Sequence, residues 1–312
     1  MKLRIITGRA GAGKSKLVLE TIAAQRFERP QILLVPEHAT HEAELDLCRA
    51  LGDTASRDGE ALSFQSLATR VLSQTGGISD ITLDNGGKIL IMRRALQEVS
   101  SYLTVFSKPS QRPAFLRELV ALADELYAYQ VTPEMLLAQV ADMEGAAGDK
   151  LRSAALIYGA YDAHLRGEGF DARSRVQKLC DALPESDYLM GKDVYVDGFS
   201  YFNRVEEDIL ETALRQGNCL TVTLLGDESD PQLFQNALRQ RDRLKRMAAL
   251  VHARCEVETL VGKNDGPLGY LERCFFDGEE PWQGEEPPIR LYQAETAFSE
   301  AEYVSACVRR LA

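Results

Sequence analysis

Short apolar runs alternate with amphipathic segments over the first part of the chain. The runs at residues 3–7, 32–35 and 61–64 predict short strands, and the segments 16–25 and 42–51 carry apolar side chains at helical spacing. Strands that alternate with helices in this way predict an α/β fold, with a parallel sheet and helices on both of its faces.

The pattern changes in the middle of the chain, where strand patterns are almost absent. We predict amphipathic helices at 89–99, 113–129, 133–140 and 151–165, with a loop at 145–148. Further strands are predicted at 193–196, 220–225 and 289–291, and a last helix at 299–311. The sequence therefore predicts an α/β domain made of residues 1–85 and 190–312, and an all-helical insertion at 86–189.

The turn after the first predicted strand carries the clearest chemical signal. Residues 8–15, Gly-Arg-Ala-Gly-Ala-Gly-Lys-Ser, match the phosphate-binding pattern GxxxxGK[ST] between a strand and a helix. Lys14 would reach the β- and γ-phosphates of ATP, and the Ser15 hydroxyl would bind Mg²⁺. The residues predicted to bind nucleotide are Gly8, Ala10, Gly11, Ala12, Gly13, Lys14 and Ser15. A purely structural strand–turn–helix is the alternative interpretation.

A phosphate loop of this kind needs a second carboxylate, at the end of a neighbouring strand, to hold the magnesium ion. Asp197, after the strand 193–196, is the candidate, and a strand-end Asp that only turns the chain is the alternative. Enzymes that hydrolyse ATP commonly have a Glu next, to orient the attacking water, but this chain has Gly198. We therefore expect ATP binding to survive and hydrolysis to be lost, because positioning supplies nearly all of phosphoryl-transfer catalysis.

Taken in order, these segments resemble the RecA-like first motor domain of UvrD-type superfamily 1 helicases. Residues 8–15 resemble motif I, 35–40 motif Ia, 63–68 a segment that touches single-stranded DNA, and 195–200 motif II. Three residues depart from the usual motifs: Gln65 replaces a His, Gly198 a Glu and Ser200 a Gln. This combination of an intact phosphate loop and a degenerate motif II resembles that of the B subunit of AddAB-type helicase–nucleases. In that resemblance, the helical region corresponds to a 1B-like insertion.

The resemblance implies partners and a function that the composition does not. Such subunits pair with an AddA-like helicase–nuclease, act on double-strand breaks and scan the unwound strand for the Chi signal. A second motor domain and a nuclease domain with a 4Fe–4S cluster would lie beyond residue 312, so the fragment alone is expected to be inactive. The predicted contacts to single-stranded DNA are Glu37, His38, Thr40, Ser63, Phe64 and Gln65. A buried core position is the alternative for Phe64.

Charge, cysteine content and hydropathy indicate what this protein binds and where it works. The formal net charge of −11 argues against a surface that attracts nucleic acid everywhere, but it permits a local basic groove. The six cysteines form no CxxC pair, so no metal cluster is expected in this chain. No apolar run is long enough to span a bilayer and no signal peptide is recognisable, so we expect a cytoplasmic protein.

Two other functions stay open on the sequence alone. The chain could be a stand-alone P-loop NTPase or kinase, or a catalytically dead scaffold that no longer binds nucleotide. The last predicted helix ends without a capping glycine or a polar tail, which suggests a fragment of a longer protein.

Overall fold

The computed structural model describes residues 1–52, 55–76, 83–106, 112–167, 175–262, 266–275, 281–285 and 289–311. It divides into two compact units, Met1–Gly262 and Lys263–Ala312. Among the described residues, no helix is both long and apolar enough to cross a membrane.

The first unit is built on one six-stranded sheet. Its strands are β1 (Lys2–Gly8), β2 (Gln31–Leu34), β3 (Gly59–Leu62), β4 (Asp193–Val196), β5 (Cys219–Leu225) and β6 (Arg254–Leu260). The order across the sheet is β3-β2-β4-β5-β1-β6, and all neighbouring strands are parallel. This arrangement confirms the predicted α/β fold and is consistent with a RecA-like domain.

Helices cover both faces of the sheet. In chain order, the described helices of this unit are α1 (Lys14–Gln25), α2 (Thr40–Leu51), α3 (Ala55–Asp58), α4 (Phe64–Thr75), α5 (Asn85–Val99), α6 (Pro113–Ala128), α7 (Pro133–Val140), α8 (Gly145–Gly167), α9 (Arg175–Ala182), α10 (Arg204–Gln216) and α11 (Gln235–Leu250). Helices α1 and α2 share an apolar core with one face, where Ile6 meets Val18 and Ile22. Helices α4, α9, α10 and α11 share the larger core of the opposite face, around Ile5 and Val222.

The helices between β3 and β4 build a second core of their own. Ile91 and Met92 of α5, Leu119 of α6 and Tyr161 of α8 belong to one cluster of buried side chains. By contrast, Leu179 of α9 belongs to the core beneath the sheet. The helical region is therefore anchored to the sheet at its C-terminal side, and the division at 86–189 stays a prediction.

Three details of the predicted secondary structure were wrong. The predicted loop at 145–148 is the first turn of α8, because Ala146 and Ala147 favour helix. Residues 289–291 do not form a strand, and the side chain of Leu291 is almost fully exposed. Strand β6 was missed because it is an edge strand whose charged side chains hide the apolar alternation.

The second unit contains α12 (Pro267–Cys274) and α13 (Ala297–Leu311). Helix α13 has no buried residue, and its apolar side chains Val304, Val308 and Leu311 are exposed. Among the described residues of this unit, Tyr270 contacts Trp282 edge to face and Tyr292 stacks on Tyr303.

Helix α11 provides a matched test of the core. Leu244 is fully buried against the sheet, whereas Leu250 on the same helix is 74% exposed. We expect Leu244→Ala to lower the free energy of unfolding by about 2–5 kcal/mol, because it removes buried methyl groups and leaves a cavity. Leu250→Ala should leave it nearly unchanged. Urea denaturation of both variants measures the difference, and equal losses would contradict this packing of α11.

Candidate nucleotide-binding site

The loop of residues 8–15 leaves the carboxyl end of β1 and enters α1. Gly11 and Gly13 have φ angles of 73° and 87°, in the left-handed region that favours glycine. Gly8 is needed for another reason, because a Cβ atom there would lie 2.7 Å from the carbonyl oxygen of Leu260 on β6. A side chain would therefore strain the backbone at Gly11 and Gly13, and at Gly8 it would clash with β6.

Lys14 is the first residue of α1, and its ammonium group turns back over the loop. Its Nζ atom donates hydrogen bonds of 2.8 Å to the carbonyl oxygens of Gly8 and Arg9. Burial lowers the pKa of Lys14, and the negative charge of Asp197 opposes that shift. Half-buried cationic groups of this kind gain from a further anion, since burial disfavours their charged form.

Asp197 follows β4 at the same edge of the sheet. Its main-chain N–H donates to Leu34 O at 2.9 Å, and its Oδ1 atom accepts a hydrogen bond from the hydroxyl of Thr223 on β5. The expectation that this carboxylate sits on a strand next to the loop was wrong, because β5 lies between β1 and β4. Sequence reasoning missed Thr223, which lies on β5, the direct neighbour of β4, and donates to this carboxylate.

The turn after Asp197 has a defined backbone requirement. Gly198 has a φ of 81°, and a Cβ atom there would contact the Pro36 ring at 3.4 Å. A residue with a side chain is strained in this conformation. The path of the chain at this turn therefore favours a glycine at position 198.

An ion pair that sequence reasoning missed joins the loop to the end of β5. The Nε atom of Arg9 lies 2.6 Å from Oδ2 of Asp227, and the guanidinium stands over the ring of Phe234 at 5.4 Å. The backbone N–H of Ser229 and the hydrogen bond from Arg9 lower the pKa of Asp227. Both partners follow strands that are neighbours in the sheet, so the pair could have been found only from the strand order.

The predicted DNA contacts divide into an exposed group and a structural group. Glu37, His38 and Gln65 are exposed, at the ends of β2 and β3, and Thr40 donates its hydroxyl to Glu37 O at 2.9 Å. These residues lie at the carboxyl edge of the sheet, where the phosphate loop also lies. They therefore remain available to a ligand that approaches this edge.

Ser63 and Phe64 form the structural group. Ser63 is the N-cap of α4, and its hydroxyl accepts a hydrogen bond from the Ser66 N–H at 3.1 Å. Phe64 is buried in the core and meets Phe199 edge to face, with 5.4 Å between ring centroids. Base stacking by Phe64 would require this ring to leave the core. The exposed group is therefore the better candidate for contacts with a ligand.

A parallel sheet with a glycine loop after its first strand, and a carboxylate two strands away, defines the class of RecA-like α/β proteins. Comparison with known proteins gives the family. The family model described as "ADDB, N-terminal" matches residues 5–271. The chain belongs to this family.

Relatives match along the whole chain. It is 28% identical over 335 aligned residues to the B subunit of the ATP-dependent helicase/deoxyribonuclease of Geobacillus thermodenitrificans, and 31% identical over 336 to the protein of the same name from Moorella thermoacetica. Both alignments cover 100% of this chain and 29% of the relative. A third protein of that name, from Pelotomaculum thermopropionicum, is 32% identical over 88% of this chain and 26% of its own length. The chain thus spans less than a third of these relatives.

Gly198→Ala tests the backbone requirement at the turn. We expect it to lower the free energy of unfolding by about 1–2 kcal/mol, because an L-residue in the left-handed region is strained by that amount. Gly198→Asn should lose less, since Asn tolerates this region better. Gly159→Ala, in the middle of α8 and at an ordinary helical φ, is the control and should not destabilise. An alanine at 198 that unfolds like the wild type would show that the turn relaxes to an ordinary φ.

Proposed function

We propose that this chain is the ATP-binding, DNA-contacting N-terminal region of the B subunit of an AddAB-type helicase–exonuclease. The whole complex would process double-strand breaks for recombinational repair and recognise Chi, and it would work in the cytoplasm. The observation that carries the proposal is the loop at the end of β1, with Lys14 over its carbonyl groups and Asp197 across the sheet edge.

Binding follows from the chemistry of the loop. Glycines in left-handed conformations turn consecutive main-chain N–H groups toward one point, and the first turn of α1 adds the positive end of a helix. Lys14 adds a cation that can exchange its two carbonyl acceptors for phosphate oxygens. The chain offers the Ser15 hydroxyl and the Asp197 carboxylate to a magnesium ion, which would neutralise phosphate charge when bound.

Hydrolysis lacks its usual group. After Asp197, the next acidic residue along the chain is Glu206, in the first turn of α10. Its carboxylate accepts from the Asn203 N–H at 2.9 Å, while the Asn203 side chain accepts from the Glu206 N–H at 2.9 Å. This capping box ties Glu206 to its helix, so it does not replace the missing Glu. We therefore infer binding with little turnover, which disfavours a stand-alone NTPase or kinase.

The partner subunit and the further domains of the proposed complex are inferred from the names and lengths of the relatives. Each is named as one subunit of a helicase/deoxyribonuclease, which implies a partner, and we propose an AddA-like helicase–nuclease in that place. The relatives are more than three times as long as this chain, and we propose that their further length holds a second motor domain and a nuclease with a 4Fe–4S cluster. Nuclease chemistry is accordingly not assigned to the residues described above.

Isothermal titration with Mg²⁺ and ATP tests nucleotide binding. We expect the wild type to bind and Lys14→Ala to lose most of its affinity, because the variant removes the cation over the loop. Lys16→Ala is the matched control, since Lys16 is exposed on the same helix turn and pairs only weakly with Glu20 at 3.8 Å. No binding by the wild type would favour the dead scaffold. ATP turnover that Lys14→Ala abolishes would favour the stand-alone enzyme.

Fluorescence anisotropy with a labelled single strand tests the contacts to DNA. We expect His38→Ala and Gln65→Ala each to weaken binding by about fivefold, the loss of roughly one hydrogen bond. Gln74→Ala is the matched control, because Gln74 is exposed at the opposite end of α4 from Gln65. The wild-type affinity should also fall as salt rises, because released counterions accompany phosphate contacts. Binding that ignores both variants and salt would contradict this edge as the DNA surface.

A further inference from the structure

Arg9 belongs to the phosphate loop, yet its side chain leaves the loop. Its guanidinium meets the Asp227 carboxylate at 2.6 Å, and the two side chains are 20% and 25% exposed. At this burial an ion pair is better shielded from solvent than one on an open surface. The contact joins the first turn of the loop to the chain beyond β5.

Asp227 is held at both oxygens. Its Oδ1 atom accepts from the Ser229 N–H at 2.8 Å, and its Oδ2 atom accepts from Arg9. Phe234 completes the contact, because the guanidinium of Arg9 lies over its ring. Phe234 is also the N-cap residue of α11, directly before the helix begins at Gln235. The segment 226–234 thus connects the loop to a helix of the sheet core.

The main chain of the loop is tied at the same place. The carbonyl oxygen of Gly8 accepts from the Gly226 N–H at 3.2 Å and from Lys14 Nζ, and the carbonyl oxygen of Arg9 accepts from Lys14 as well. When Lys14 turns from these carbonyls to a phosphate, the anchor of Arg9 on Asp227 remains. A loop that is anchored in this way loses less conformational entropy when a ligand binds.

We propose that Arg9 and Asp227 are a positioning pair of the nucleotide site. They hold the first turn of the loop in the curvature that phosphate binding requires. Through them, nucleotide binding in the loop also orders the segment 226–234. This inference rests on the proposed nucleotide binding. It assigns to Arg9 a role through its carboxylate partner and not as a direct ligand of the nucleotide.

A double-mutant cycle tests the pair. Arg9→Gln and Asp227→Asn should each weaken binding of Mg²⁺ and ATP by about three- to tenfold in isothermal titration, and the double variant should be no weaker than the weaker single variant. Asp227→Asn keeps an oxygen that can accept from Ser229. Asp230→Asn is the matched control, since it makes the same charge change three residues along and Asp230 contacts the Leu233 N–H. The control should bind like the wild type.

A second readout separates positioning from general stability. In hydrogen exchange, ATP should slow the amides of residues 226–234 in the wild type and leave them unchanged in Asp227→Asn. Thermal unfolding of the nucleotide-free variants should stay close to that of the wild type. If Arg9→Gln does not fold, Phe234→Leu removes the aromatic face alone and should also weaken binding.

The outcomes distinguish this pair from the proposed function. If the wild type binds no ATP, the proposed nucleotide binding is wrong, and the role of the pair is wrong with it. A wild type that binds, a Lys14→Ala variant that does not, and Arg9→Gln and Asp227→Asn variants that bind normally would overturn the pair alone. Tighter binding by Asp227→Asn would overturn it too, because it would mean that Asp227 withholds Arg9 from the phosphates.

Discussion

The parallel hydrogen bonding of β1 to β5 is the constraint on which the candidate site depends. Its register places Gly8 opposite Leu225, so the phosphate loop and the segment that begins at Gly226 leave the sheet side by side. Parallel strands also bring the end of β4 to this edge, which is why Asp197 can influence Lys14. The site therefore depends on how the strands are ordered and registered, and the loop sequence alone does not build it.

The charged groups around the phosphate loop have partners within the protein. Lys14 has two carbonyl oxygens, Asp197 has the hydroxyl of Thr223, and Arg9 has Asp227. Half-buried charges without partners are disfavoured, so the two carbonyl contacts stabilise the ammonium group of Lys14 whether or not a ligand is bound. A ligand must then offer better partners than these, and a triphosphate with its magnesium ion is a strong competitor for the ammonium of Lys14.

The local sequence pattern predicted most strands and helices of this fold, but few of the contacts between residues that are distant in sequence. The strands β1, β2, β4 and β5 are largely buried apolar runs, and the loop of residues 8–15 matches a specific motif in the context that the motif requires. Strand order is not a local property, so neither Thr223 beside Asp197 nor Asp227 beside Arg9 could be inferred. The edge strand β6 was not predicted, because charged side chains interrupt its apolar positions. The burial of Phe64 depends on Phe199, which is distant in sequence.

The backbone conformation of Gly198 bears on whether a water-activating carboxylate could stand at this position. In the left-handed conformation seen here, a Glu would strain the backbone, and its Cβ atom would lie in contact with the Pro36 ring. Replacing one residue would consequently not be enough to rebuild a water-activating carboxylate, because the backbone between β4 and α10 would have to take another path as well. The next carboxylate along the chain, that of Glu206, is held in a capping box. The turn thus has a fixed shape, which agrees with the proposal that the site binds a nucleotide without cleaving it.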